Sequence, residues 1–142
     1  MPLGNPSRFA RWSVWTIGLA ASACVAQSTL EASLAGKHFV ASMSEVEDAK
    51  QRPRLEFVRD GRLAGYTGCN MLAGKWRVEG GAVRLEGLAA TKRGCLGPAG
   101  DVEKRFLAAV GSSSSISLQG ATLVAQGPGG ERIAFAESPP NR

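Results

Sequence analysis

Few side chains in this sequence of 142 residues have the chemistry of a reactive site. The one histidine is His38, and the cysteines are Cys24, Cys69 and Cys95. A Ser–His–Asp or Cys–His catalytic group would have to use His38, and no catalytic partner lies near it in sequence. The sequence also lacks the short motifs of serine hydrolases and zinc peptidases. We therefore expect no catalytic residue and no enzymatic activity.

Cys69 and Cys95 are candidates for a metal site or for a disulfide. With His38 they would supply three ligands, but without the close ligand pairs typical of structural zinc sites, so we expect no metal and no cofactor. An odd number of cysteines is unusual in an oxidising compartment, and lipidation or removal of Cys24 would leave one pair. A Cys69–Cys95 bridge closes a loop of about 27 residues and stabilises by about 3.5 kcal/mol from chain entropy. Two buried free thiols are the alternative.

The first 26 residues have the pattern of a secretory signal peptide. Arg8 and Arg11 precede an uncharged, mostly apolar run at residues 12–23, and small residues follow. A transmembrane span needs about 20 apolar residues, and this run is shorter. We predict a signal peptide at residues 1–26; a buried N-terminal helix or a retained signal anchor is the alternative.

The end of this segment permits two mature forms. Residues 21–24, Ala-Ser-Ala-Cys, resemble a lipobox with Cys24 as the lipidated residue, although Ala21 replaces the usual leucine. The competing cleavage lies before Gln27 and leaves no lipid. Val25 is not the aspartate of an inner-membrane retention signal, which favours the outer membrane for a lipidated form. We therefore predict either an outer-membrane lipoprotein or a soluble periplasmic protein.

The rest of the chain has the pattern of short antiparallel strands. Glycine is abundant at 18 residues, and most apolar runs alternate with polar residues, which indicates sheet with one wet face. Asp60-Gly61 predicts a two-residue hairpin turn with positive φ at both residues. The predicted strands lie near residues 37–39, 54–58, 62–66, 75–78, 83–86, 115–118, 121–125 and 132–136.

One helix is predicted between Pro98 and Gly111, with Asp101 in its first turn. An apolar stripe at helical spacing is expected to pack on the sheet, while residues 103–105 face water. The stripe consists of Val102, Phe106, Ala109 and Val110. The fold prediction is therefore mainly β with one α-helix, as a curled antiparallel sheet or partial barrel.

Four short motifs follow one another between residues 60 and 95: residues 60–65 (Asp-Gly-Arg-Leu-Ala-Gly), 68–70 (Gly-Cys-Asn), 74–76 (Gly-Lys-Trp) and 88–95 (Leu-Ala-Ala-Thr-Lys-Arg-Gly-Cys). This order resembles the META domain, the HslJ-like family of small bacterial envelope proteins. The resemblance covers residues 37–136, and leaves residues 27–36 as a short linker and 137–142 as a flexible tail. It implies a compact, mainly antiparallel β domain with one helix and without known catalytic residues or cofactor. One family member is associated with heat shock and antibiotic tolerance.

The motif residues Gly68, Asn70, Gly74 and Thr91 are expected to have structural roles. A phosphate-binding loop needs Ser or Thr after its Gly-Lys pair, and Trp76 stands there instead. Gly68 and Gly74 would allow tight turns around Cys69. Asn70 would adopt a left-handed backbone conformation or bond to its own turn.

The net charge of +5 raises the question of which negatively charged partner the protein could bind. Four arginines, Arg52, Arg54, Arg59 and Arg62, cluster in sequence around the first hairpin, but few aromatic residues lie among them, so we expect no nucleic-acid partner. A solvated basic face or contact with an anionic envelope surface remains.

We expect a non-enzymatic exported protein with a structural or protective role in the bacterial envelope and in stress tolerance, through contact with an envelope protein or a membrane surface. The alternative is a carrier of a small apolar ligand, held in a cavity between sheet and helix. A carrier needs an apolar internal cavity, whereas an interaction protein needs a filled core and an exposed patch.

Overall fold

Eight antiparallel strands close into a barrel in the computed structural model, which describes residues 21–139. The strands are β1 (Lys37–Ala41), β2 (Arg54–Phe57), β3 (Arg62–Tyr66), β4 (Met71–Glu79), β5 (Ala82–Ala90), β6 (Ser115–Gln119), β7 (Thr122–Gln126) and β8 (Arg132–Ser138). They follow chain order around the barrel, and β1 pairs with β8 to close it. The mainly antiparallel β fold is confirmed. Full closure goes beyond the curled sheet or partial barrel that the sequence predicted.

The barrel interior is filled by apolar side chains that alternate along the strands. Leu55 and Phe57 of β2 are buried, whereas Arg54 and Glu56, which alternate with them, are only half-buried, because successive side chains of a strand point to opposite faces. Phe57 contacts Phe39 and Trp76 edge to face, with ring centroids 5.7 and 5.3 Å apart. The Trp76 indole donates a hydrogen bond to the carbonyl of Val58 at 2.9 Å, so its one polar group is satisfied.

The turn between β2 and β3 differs from the predicted two-residue turn. Gly61 has a φ of 82°, but Asp60 does not have a positive φ. The amide of Gly61 donates to the carbonyl of Val58 at 3.1 Å. The Asp60 carboxylate accepts from the Arg62 amide at 3.1 Å, so a side chain stabilises the turn and only one residue needs the left-handed conformation.

Two α-helices accompany the barrel, one more than the sequence predicted. The predicted helix is α2 (Pro98–Ala109), which begins after Gly97 and has Asp101 in its first turn. The additional helix is α1 (Ala21–Leu34), which contains most of the segment predicted as a linker. Its last residue, Leu34, is fully buried in the core, and this long-range packing has no signature in the local sequence.

Two sequence predictions concern residues that are largely outside this description. Residues 1–20, most of the predicted signal peptide, lie outside the described residues, and so does the side chain of Cys24. Between residues 21 and 139, neither helix has the length and apolar character needed to cross a bilayer.

Helix α2 packs onto the barrel where two strands diverge. β5 pairs with β6 only through Val83 and Ile116, and the chain between these strands contains α2. Phe106 of α2 meets Phe135 of β8 with ring centroids 6.2 Å apart, and both rings are fully buried. The residues of α2 that do not face the core therefore lie next to the strand ends and turns at the end of the barrel that α2 covers.

Candidate functional site

Three segments meet at the end of the barrel near α2. They are the turn 67–70 between β3 and β4, Thr91 with the loop 92–97 after β5, and the first turns of α2. Cys69 and Cys95 join the turn to the loop, with bonded sulfur atoms and Cα atoms 6.3 Å apart. This separation lies within the usual range of disulfides, so the geometry is compatible with the predicted bridge.

Asn70 connects the turn to the loop through both ends of its side-chain amide. Its Oδ1 accepts from the Arg93 amide and from Thr91 Oγ1, each at 2.8 Å. Its Nδ2 donates to the Arg93 carbonyl at 3.2 Å and to Glu103 Oε1 at 2.9 Å. The residue is 3% exposed, so these bonds replace the water that the amide loses on burial.

The left-handed backbone conformation predicted for Asn70 is wrong. Gly68 takes that conformation instead, with a φ of 100°, and Asn70 does not have a positive φ. The shorter hydrogen bonds of the Asn70 side chain reach the loop and α2, while within its own turn its Nδ2 lies 3.6 Å from Cys69 Sγ. The turn is stabilised by Thr67, whose Oγ1 accepts from the Asn70 amide at 2.8 Å and the Cys69 amide at 3.3 Å.

Glu103 belongs to this cluster, although the sequence placed it among water-facing residues. Its Oε1 accepts from Thr67 Oγ1 at 2.7 Å and from Asn70 Nδ2 at 2.9 Å, and the residue is half-buried. A Glu next to the buried Val102 lies at the edge of the apolar stripe, which is the local signal that the prediction overlooked. We call Thr67, Cys69, Asn70, Cys95 and Glu103 the disulfide cluster.

The other motif residues support the same end of the barrel. A Cβ at Gly68 would lie 2.6 Å from Val102 Cγ1, so the turn packs directly against α2. The tight turn predicted at Gly74 is wrong: Gly74 lies within β4, at an irregularity in its pairing with β5, where a Cβ would lie 2.7 Å from Leu88 Cδ2. Thr91 Oγ1 also accepts from the Met71 amide at 3.0 Å and so ties the end of β5 to β4.

His38 is separate from the disulfide cluster. It lies on β1, opposite Glu56 of β2, with its Nδ1 3.8 Å from a Glu56 carboxylate oxygen. The structure therefore does not bring together the Cys69, Cys95 and His38 set that the sequence analysis weighed. It brings Glu103 to the cysteines instead: one carboxylate oxygen and the two sulfur atoms all lie within 4.8 Å of one another.

The META domain family matches residues 30–140 of the chain. The chain belongs to the META domain family. This confirms the resemblance inferred from the Gly-Cys-Asn and Thr-Lys-X-X-Cys motifs.

Solved structures share the fold of this META domain. An NMR structure of a protein from Burkholderia xenovorans has a TM-score of 0.57 at 18% identity, covering 94% of this chain and 99% of that one. A second NMR structure has a TM-score of 0.61 at 18% identity, covering 75% of this chain and 92% of its own. A DUF4847 family protein from Bacteroides vulgatus, solved by crystallography, has a TM-score of 0.51 at 15% identity, covering 75% and 96%. No curated protein matches the sequence.

A surface groove of about 540 Å³ lies beside the disulfide cluster of this META domain. Its lining residues come mainly from α2 and from residues 45–51, and several are charged: Glu45, Glu47, Asp48, Asp101 and Arg105. Arg105 forms an ion pair with Glu45 and so links the two walls. The pKa of the Glu45 carboxyl is lowered, first by a hydrogen bond from the backbone of Glu45 itself and then by the Arg105 guanidinium.

The arginines that cluster in sequence do not form one basic face. Arg52 and Arg54 lie at the start of β2, whereas Arg59 and Arg62 lie at its other end, around the turn. Arg52 Nε donates to the Val46 carbonyl at 2.8 Å, and Arg54 stacks 4.7 Å from the centroid of the Tyr66 ring. Arg62 pairs with Asp60, and the pKa of Asp60 is lowered first by its hydrogen bond from the Arg62 backbone and then by the guanidinium.

The loop 92–97 presents the most exposed large apolar side chain of residues 25–139. Leu96 is 92% exposed, and the exposed Lys92 and Arg93 lie in the same loop. Two hydrogen bonds between Asn70 and the Arg93 backbone, and the bond of Cys95 to Cys69, hold the loop in place. The loop therefore offers one apolar and two basic side chains on an anchored backbone.

Proposed function

We propose that this META domain protein is a non-enzymatic, exported protein that acts through its outer surface, with a structural or protective role in the bacterial envelope. The filled barrel carries this proposal. Phe39, Phe57, Phe106 and Phe135 occupy the interior and are at most 1% exposed. A partner or ligand would have to bind outside the barrel, since close-packed interiors leave little space for another molecule.

The same packing argues against the apolar-ligand carrier. That hypothesis needs a cavity between sheet and helix, and the space between α2 and β8 holds the contacting rings of Phe106 and Phe135. The surface groove beside α2 is lined by several carboxylates, which suit an apolar ligand poorly. We therefore do not propose a carrier function.

The loop 92–97 is the surface that we expect to make the contact. An exposed leucine in the same loop as two basic residues suits a partner protein or membrane surface with negative charge at its rim, because burial of Leu96 adds to the attraction of Lys92 and Arg93. The anchored backbone reduces the conformational entropy lost on binding.

Export is supported by the sequence and by the cysteines. The basic, apolar and small-residue order of residues 1–26 is typical of a signal peptide. Cysteines that can pair in the folded chain suit an oxidising compartment. Both the lipidated form at Cys24 and the soluble form beginning at Gln27 agree with this proposal.

The proposal is tested by complementation of a deletion strain under heat and antibiotic stress. The full chain should restore survival, whereas a chain without residues 2–26 should not, because it stays in the cytoplasm. Leu96→Ser should reduce the rescue, and Leu107→Ser is the matched control because Leu107 is exposed on α2 outside the loop. Full rescue by the unexported chain would contradict the envelope role, and equal rescue by both leucine variants would exclude the loop as the contact.

A further inference from the structure

The two cysteines and Glu103 lie at distances that a metal ion can bridge. Both Sγ atoms and a carboxylate oxygen of Glu103 are within 4.8 Å of one another. Zinc holds sulfur at about 2.3 Å and carboxylate oxygen at about 2.0–2.2 Å in a tetrahedron, so its ligand atoms lie about 3.4–3.8 Å apart. Once the sulfur atoms are no longer bonded to each other, shifts of about an ångström would produce this spacing.

Polar groups surround the two sulfur atoms. Asn70 Nδ2 lies 3.6 Å from each Sγ, and the Arg93 carbonyl oxygen lies 3.3 Å from Cys95 Sγ. Cys95 lies three residues before Pro98, where α2 begins, so the positive end of the helix dipole faces this region. Both cysteines are half-buried, which leaves room for solvent to reach the site and for a metal to enter.

Glu103 is already oriented as a ligand. Thr67 Oγ1 and Asn70 Nδ2 donate to its Oε1 at 2.7 and 2.9 Å, and such hydrogen bonds fix the direction of a ligating carboxylate. The carboxylate is therefore held in place before a metal binds.

We propose that reduction of the Cys69–Cys95 disulfide converts the disulfide cluster into a site for a thiophilic divalent metal such as Zn²⁺. A dithiol reductant supplies two electrons and two protons, the S–S bond breaks, and the reductant becomes a disulfide. Zn²⁺ then displaces both thiol protons into solvent and binds Cys69, Cys95 and Glu103. Water occupies the fourth position, and the oxidised protein does not bind the metal here.

The test uses Co²⁺ as a spectroscopic probe of the Cys24→Ser full chain, in which Cys69 and Cys95 are the remaining cysteines. After reduction with a phosphine, one equivalent of Co²⁺ should give a thiolate-to-metal charge-transfer band, and Zn²⁺ should abolish it. The oxidised chain should show no band. Zn²⁺ should also raise the melting temperature of the reduced chain, or restore its native near-UV circular dichroism if reduction unfolds it.

Two variants identify the ligands. Cys95→Ser should abolish the band, and Glu103→Gln should weaken metal binding by about tenfold or more, because even loss of a hydrogen bond to a ligand costs about 10–100-fold. Glu131→Gln is the control, since Glu131 lies in the turn between β7 and β8. The absence of a band in the reduced chain, a band of equal strength in the oxidised chain, or unchanged affinity in Glu103→Gln would each overturn the proposal.

Discussion

Asn70 joins the β3–β4 turn, the loop after β5 and helix α2 through one side-chain amide. Its Oδ1 accepts hydrogen bonds from Thr91 and Arg93, and its Nδ2 donates to Arg93 and Glu103. A buried amide with both ends satisfied adds specificity, because no other side chain offers two donors and an acceptor pair in the same volume. The Asn of the Gly-Cys-Asn motif therefore links separate segments of the chain, in addition to its place in its own turn.

Asn70→Ala should lower the free energy of unfolding by about 1–3 kcal/mol, because Thr91, Arg93 and Glu103 each lose a hydrogen bond to this buried amide. Urea unfolding followed by tryptophan fluorescence measures this change. Gln119→Ala removes an exposed amide and is the control, with an expected change within about 0.5 kcal/mol. Equal effects of the two substitutions would show that the Asn70 contacts contribute nothing to stability.

His38→Ala should leave stress survival within a few-fold of wild type, since His38 lies on β1 beside Glu56 and apart from the disulfide cluster. The complementation assay described above measures the survival. A loss of about a hundredfold in a variant with unchanged melting temperature would assign His38 a chemical role and contradict the non-enzymatic proposal.

Helix α2 depends on the close approach of the turn 67–70. Gly68 combines a φ of 100° with a position where a Cβ would lie 2.6 Å from Val102 Cγ1. Either feature alone disfavours a side chain, and together they select glycine. One turn further along the helix, Arg105 pairs with Glu45 and links α2 to the segment after β1.

Gly68→Ala should destabilise the fold by about 1–3 kcal/mol through backbone strain and the contact with Val102. Gly94→Ala is the matched control, because Gly94 has no positive φ and open space around it. Differential scanning calorimetry of both variants measures the difference. A melting temperature of Gly68→Ala at or above that of Gly94→Ala would contradict the close packing.

The Glu45 carboxylate should contribute stability that is lost in acid. Its pKa in the folded chain is lowered, so the unfolded chain binds the proton more readily and stability falls as the pH drops through the folded pKa. Melting temperatures of wild type between about pH 5 and pH 3 should therefore fall more steeply than those of Glu45→Gln. Glu47→Gln, from the same segment, controls for loss of a carboxylate, and a steeper fall in Glu45→Gln than in wild type would reverse the assigned sign.

Strands and α2 were predictable from sequence because their signals are local. Alternation such as Leu55 and Phe57, and the Val102–Phe106 spacing, need only the period of the element. Other features depend on residues far along the chain. They are the burial of Leu34, the placement of Gly74 within β4, and the contact of Glu103 with Thr67. A pattern of a few residues does not contain that information, so the closed barrel and the disulfide cluster required the structure.

At the scale of the whole fold, residues 21–139 contain a closed barrel that has no free strand edge at the β1–β8 junction and has a filled interior. Helices α1 and α2 pack against the barrel. One disulfide, Cys69–Cys95, joins the turn between β3 and β4 to the loop after β5. The bridge closes its loop across β4 and β5, which contain most of the residues between the two cysteines. Removal of the bridge therefore raises the conformational entropy of the unfolded chain, while the barrel itself is kept.

Reduction of Cys69–Cys95, or Cys69→Ser, should lower stability by about 3.5 kcal/mol and the melting temperature by several degrees or more. The measurement is thermal unfolding with and without reductant, in the presence of a chelator. The double substitution Cys69→Ser, Cys95→Ser should add little to the single one, because either removes the same bond. An unchanged melting temperature on reduction would show that the cysteines are not bridged in solution.

Intact-mass spectrometry of the protein purified from its own cells tests the central proposal most directly. An exported META domain protein should begin at Cys24 with acyl chains or at Gln27, and its mass should be two hydrogens lower than that of the reduced chain because Cys69 and Cys95 are joined. An abundant form that retains Met1 and two free thiols would contradict export, the bridge and the envelope function together.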